Sequence, residues 1–143
     1  MILPIPIASV SASTLRQDRD PTDLLRDGPI GWVSKKGEQV GAEIAFTFGS
    51  PARIIAVQIE TAENGRAEAI EIWLGDECFT ATLDDYRGEQ LLQPRFGGAP
   101  DHAWAVTSAK IVIKSMQLAS LQDDYAALIG VSFFGESETG LTN

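Results

Sequence analysis

Apolar residues fall at alternate positions in one short segment after another along this chain. In "AEIAFTF", Ile44, Phe46 and Phe48 share one face, with Glu43, Ala45 and Thr47 on the other. The same alternation sets Ile55, Val57 and Ile59 inward in "RIIAVQIE", and Ile70, Ile72 and Leu74 inward in "EAIEIWLGD". It sets Ile111 and Ile113 inward in "AKIVIKSM", with Lys110 and Lys114 outward, and Ile129, Val131 and Phe133 inward in "ALIGVSFFG". A period of two puts successive side chains on opposite faces of an extended strand, so each segment has one face that must find a core. "FTATL" and "EQLLQPRF" read as two shorter strands, and "GSP" and "TAENGR" as turns. Many short strands rich in β-branched and aromatic residues, with Gly, Pro, Asp and Asn between them, predict an all-β sandwich or barrel. One stretch departs from the pattern. "DPTDLLRDG" has a capping Asp20, Pro21 in the first turn and a closing Gly28, which predicts a short helical turn near residues 20–27.

Length allows one such unit. A chain of 143 residues, 44% of them hydrophobic, can bury one core, expected over residues 1–136, with 137–143 a polar tail. The net charge of −9 leaves no basic surface to displace counterions from nucleic acid or to sit on an anionic membrane. The lone Cys78 excludes an internal disulfide, and with a single His the soft ligands are too few for structural zinc. "MILPIPIASV" has no Lys or Arg before it and two prolines within it, a poor signal peptide, and no apolar run reaches the ~18 residues of a membrane span. A cytoplasmic or virion-associated location is expected.

No catalytic constellation is visible. His102 has Asp101 beside it in sequence, but neighbours on a loop do not make a base and its orienting partner. Asp76 and Glu77 precede Cys78 and are expected to raise its thiol pKa, the wrong direction for a nucleophile. Asp84 and Asp85 can in principle act as acid and base, but turn carboxylates are usually solvated. G-x-S-x-G, P-loop and H-E-x-x-H motifs are absent from the chain. The expectation is a protein that is not an enzyme.

The order of elements carries a resemblance. "ASVSASTL", "PTDLLRDGPIGWVS", "AEIAFTFGSPARIIAVQIE", "EAIEIWLGD" and a closing "AKIVIKSM…IGVSFFG" together resemble the discoidin, or coagulation-factor C-type, domain. This is the galactose-binding-domain-like jelly-roll β-sandwich, to which family 32 carbohydrate-binding modules belong. "TATLDDYRGEQLLQPRF" and "VTSAKIVIKSMQLASLQDDYAALIGVSFFG" resemble the NADase-type glycan-binding subgroup. The resemblance spans roughly residues 7–135. It implies that the last strand returns beside the first, with its aromatics between the sheets, and that Trp32 is a core residue. Family members commonly hold calcium through an Asp in the helical-turn loop, a hydroxyl shortly before the Trp and an acidic residue in the last strand. Here Asp27 remains, but "PIGW" lacks the hydroxyl and Gly130 stands at the acidic position. Calcium takes ~6–8 oxygen ligands, so no cofactor is expected, and Asp27 also reads as an ordinary turn residue before Gly28.

A sugar site needs an aromatic face for the pyranose C–H surface and planar polar groups for its hydroxyls. In "QPRFGGAPDHAW", Trp104 offers the face, Arg95 a fork and His102 a donor or acceptor, with Tyr86 and Tyr125 as outer candidates. The other reading makes Trp104 a plug beneath its loop. Trp73 alternates outward with Glu71, so either the "MILPIPI" segment or a partner subunit covers it, which marks an interface. The expected function is a non-catalytic module binding glycan or another surface ligand, possible on a virion or phage-tail-like particle. The alternatives are a structural subunit of such a particle, docking as a homo-oligomer or on other subunits, and an intracellular protein-binding adaptor.

Overall fold

One strand belongs to both layers of the fold. In the computed structural model, which describes residues 3–16, 31–93 and 105–137, strand β4 runs unbroken over Glu43–Thr61. Its first half lies between β2 (Ile7–Ala12) and β8 (Val106–Ile113). Beyond β8 come β5 (Ala69–Leu74) and β6 (Glu77–Thr82), giving a five-stranded antiparallel layer in the order β2-β4-β8-β5-β6. Its second half lies between β7 (Gly88–Leu92) and β9 (Ala127–Ser137). Along the far edge of β9 sit β1 (Leu3–Pro4) and β3 (Trp32–Val33). This is an all-β sandwich, and the terminal strand does return beside the first, Leu3 opposite Gly135.

The "GSP" segment does not end a strand. The register between β4 and β8 jumps from Thr47↔Ser108 to Ala52↔Val106, so the extra residues on β4 are taken up as a corner where the strand changes layers. Pro51, which has no N–H to give a ladder, suits that corner. Two single-residue bulges then shift the expected faces. Ile54 pairs with Gly135 and Ala56 with Phe134, leaving Ile55 as the extra residue. Parity flips there, so Ile54 rather than Ile55 is buried, with Val57 and Ile59. On β9, Gly130 pairs with Glu60 and Leu128 with Thr61, so Ile129 bulges and Leu128 takes its core place.

The other inward sets lie as the alternation predicts: Ile44, Phe46 and Phe48; Ile70, Ile72 and Leu74; Ile111 and Ile113; Val131 and Phe133 are all buried. Phe133 packs edge-on between Phe46 (5.1 Å, 70°) and Phe48 (5.3 Å, 73°), an arrangement aromatic quadrupoles favour. Each such side chain contributes about 1.5–3 kcal/mol when removed from water. A 3-10 turn, Leu118–Ser120, lies in the β8–β9 connection. The helical turn predicted near residues 20–27 and the polar tail from 138 onward lie outside the described residues. Among the described residues, no helix is long and apolar enough to cross a membrane.

Candidate functional site

The end of β4 and the start of β9 meet at one end of the sandwich, and a turn holds them. Thr61 is buried; its hydroxyl donates to Tyr86 O (2.5 Å) and accepts from Gly88 N–H (3.2 Å), which ties the β4 terminus to β7. The chain then turns through 62–65. Gly65 N–H donates to Asp123 Oδ2 (2.9 Å), and Ala127 N–H donates to Gly65 O (2.9 Å). Gly65 has φ +68°, and a Cβ there would stand 2.9 Å from the Tyr125 ring, so glycine is required on both counts. Behind the turn, Arg66 donates from Nε to Asp85 Oδ1 (2.7 Å) and from Nη1 to Glu63 O. Asp85 is therefore engaged in bracing the turn. Asp84 is clamped through its backbone by Gln90, whose Oε1 accepts from Asp84 N–H (2.7 Å) and whose Nε2 donates to Asp84 O (2.9 Å). The pair serves the turn's architecture.

This construction leaves a cleft of about 550 Å³. Trp32, Leu128 and the bulged Ile129 form its apolar lining; Tyr125, Asn64, Glu60, Glu63, Arg16 and Arg87 supply its polar and aromatic groups. Trp32 is fully buried and donates from Nε1 to Thr14 O (2.8 Å), as a core residue should. Tyr125 is half-buried. The Arg87–Glu63 ion pair is long, at 3.9 Å, and both side chains are well exposed, so it costs little to open for a ligand. Two guanidiniums, two carboxylates and an amide around an aromatic ring match a polyhydroxylated ligand. Each planar group can bridge adjacent hydroxyls, and the ring can take an apolar face.

Of the five expected ligand residues, the structure brings Tyr125 to this cleft. Tyr86 lies at the same end, beside Arg87 in the chain, 44% exposed, with its hydroxyl donating to Glu89 O (2.7 Å). Arg95, His102 and Trp104 lie outside the described residues. Their flanks, Gln93 and Ala105, are toward the other end of the sandwich, where β7 runs past Val57 and β8 begins opposite Ala52. Sequence reasoning missed Asn64, Glu60, Glu63, Arg16 and Arg87. The signal available was "ENG", a turn dipeptide with polar neighbours, which was legible only as a turn.

Cys78 behaves as expected for a different reason. Burial pushes its thiol pKa up first and Glu71 adds to this, while Lys110 and Lys114 oppose it; Asp76 and Glu77 are not the cause. Trp73 is half-buried on the outer face of β5, with Lys110 Nζ 5.3 Å from its ring centroid. The N-terminal segment is engaged elsewhere: β1 pairs with β9 in the other layer, and Ile5 enters the core.

Of the positions that hold calcium in the family, Asp27 lies outside the described residues. Gly130 lies mid-ladder opposite Glu60 and brings no oxygen side chain. Among the described residues, no three His, Cys, Asp or Glu are placed to hold a metal ion. A site filled at a hundredfold ligand excess would add ~2.7 kcal/mol to stability. Chelator is therefore expected to leave the melting temperature unchanged, and a drop of several degrees in a thermal melt would refute this.

No family model matches the chain, and no curated protein matches it. Solved structures do. A family 32 carbohydrate-binding module of C. perfringens NanJ, determined in complex with galactose, matches 94% of this chain and 99% of its own, with TM-score 0.73 at 11% identity. The family 32 module of AlyQ, determined with 4,5-unsaturated mannuronic acid, matches 92% and 97%, with TM-score 0.67 at 13% identity. Reduced XRCC1 bound to the DNA pol beta catalytic domain matches 92% and 97%, with TM-score 0.70 at 16% identity. The chain thus has the discoidin-like β-sandwich fold of family 32 modules.

Proposed function

We propose that this protein is a non-catalytic glycan-binding module whose ligand occupies the Tyr125 cleft. The observation that supports this most is the cleft itself: an aromatic ring, an amide, two guanidiniums and two carboxylates around an apolar floor, on a sandwich shared with modules solved in complex with sugars. Tyr125 stacks on a pyranose face, Asn64 and Arg87 donate to its hydroxyls, and Glu60 and Glu63 accept from them. One such site binds weakly, near the millimolar range or about 4 kcal/mol. Useful retention then needs several copies, as in an oligomer or on a virion or phage-tail-like particle, where linked sites raise avidity by ~10²–10⁴.

The test is a titration with galactose and with a hexuronic acid, followed by tryptophan fluorescence and calorimetry. Native protein is expected to saturate, and Tyr125→Ala to lose about 3–10-fold in affinity, the worth of a stacked ring. Trp104→Ala, with Arg95 and His102 the remaining loop candidates, is the comparison. Loss in Trp104→Ala with Tyr125→Ala unaffected would move the site to that loop, and no response to any sugar in native protein would sink the reading.

A second reading, docking of a protein ligand, is favoured by the XRCC1 match, where the same fold is seen bound to another protein. It predicts capture of a polypeptide by native protein with no response to sugars.

A further inference from the structure

We infer that the outer face of the five-stranded layer is the contact between two copies of this chain. The ladder registers define the face. One row across it is Ser11, Ala45, Lys110, Trp73 and Cys78; the adjacent row is Glu43, Val112, Glu71 and Thr80. Trp73 thus stands between Lys110 and Cys78 in its row, with the small Ser11 and Ala45 beyond Lys110. That ring is not free to stack on a sugar. Lys110 lies over it, 5.3 Å from the centroid, and its Nε1 is 3.3 Å from Glu71 Oε1.

Charge selects a second copy as the occupant. The chain carries a net charge of −9, so most approaches of one copy to another are repulsive. This face balances. It holds the carboxylates Glu43 and Glu71 against the ammoniums of Lys110 and of Lys114, which follows Lys110 and Val112 at the next alternate position; Lys110 Nζ already lies 3.1 Å from Glu43 Oε1. A two-fold axis running across the strands between the two rows sets Lys110 over Val112 of the second copy. There it is flanked by that copy's Glu43 and Glu71, with Trp73 against Glu71. Both copies make the same contacts, as an isologous interface requires.

Area sets the size class of the contact. Five strands about 4.8 Å apart, each about 20–25 Å long, span roughly 500–600 Å² per copy, so a pair buries a little over ~1,000 Å², the lower bound for a specific interface. An interface at that bound is expected to be weak and reversible. The Tyr125 cleft opens at the end of the sandwich, off this face, so pairing leaves two clefts accessible.

Sedimentation velocity of the full chain from ~1 to 200 μM tests this. A reversible dimer is expected. Trp73→Ser is expected to raise Kd at least tenfold, as is Ala45→Arg, which adds a bulky charge to the same face without touching the core. Far-ultraviolet circular dichroism and the melt check folding; should Trp73→Ser fail to fold, Ala45→Arg decides alone. A monomer throughout the range overturns the inference, and so does a dimer whose Kd the folded variants leave unchanged.

Discussion

Gly135→Ala is expected to destabilise the fold by about 3–5 kcal/mol, a large share of the ~5–15 kcal/mol by which native domains are stable. A Cβ at Gly135 would stand 1.9 Å from Arg53 O and 3.1 Å from Ile54 Cα. Both are backbone atoms and cannot rotate aside. They press on Gly135 because the Ile55 bulge carries the Arg53 carbonyl over β9. Relief requires β4 and β9 to separate at the residues that pair most extensively in the sandwich, and Phe133 lies two residues away between Phe46 and Phe48. The same geometry recurs at the other bulge, where a Cβ on Gly31 would meet Leu128 O at 2.0 Å. Ser132→Ala, on the exposed side of β9, is the control and should fall within ~0.5 kcal/mol of native protein. Urea denaturation measures both, and a loss below ~1 kcal/mol for Gly135→Ala would contradict the account.

Trp32→Ala is expected to cost a similar amount, about 3–5 kcal/mol, for a different reason. The ring is completely buried, and its removal leaves a cavity between β3, β9 and the core. It also leaves Thr14 O without the Nε1–H donor it now has at 2.8 Å, and an unsatisfied buried carbonyl adds about 1–3 kcal/mol. Trp32→Phe keeps most of the volume and loses the donor, so it should fall between native protein and Trp32→Ala. Since Trp32 lines the cleft, a folded Trp32 variant should also show a smaller fluorescence response to sugar. If Trp32→Ala melts within a degree or two of native protein, the residue is not the anchor described.

The strands were legible because their alternation is a property of each segment alone. Ile70, Ile72 and Leu74 face inward whatever their neighbours do, and so do Ile111 and Ile113. Faces were misread only at Ile55 and Ile129, where the partner strand imposes an extra residue. A bulge is a fact about two strands paired in a given register, and neither "RIIAVQIE" nor "ALIGVSFFG" carries it. In the sequence Gly130 stands out only as the residue at the family's acidic position. The glycine whose missing Cβ the packing requires is Gly135, because the carbonyl that demands it comes from β4.

The site divides in the same way. Tyr125 was legible as an aromatic on a polar loop, the chemistry a sugar asks for. Asn64, Glu63, Glu60 and Arg87 were not, since their segments are dozens of residues from Tyr125 in the chain and read locally as a turn and a strand end. They converge because Gly65 lets the turn lie against Tyr125 and Thr61 holds β4 to β7. By itself the sequence determined an all-β chain, the inward set of most strands and a surface unsuited to polyanions, all of which follow from local periodicity and composition; the core place of Trp32 came from the family resemblance. Only the tertiary structure decided that β4 serves both layers, where the bulges turn side chains over, and that a turn and a distant loop enclose one cleft, because pairing register and close packing join residues that share no local pattern.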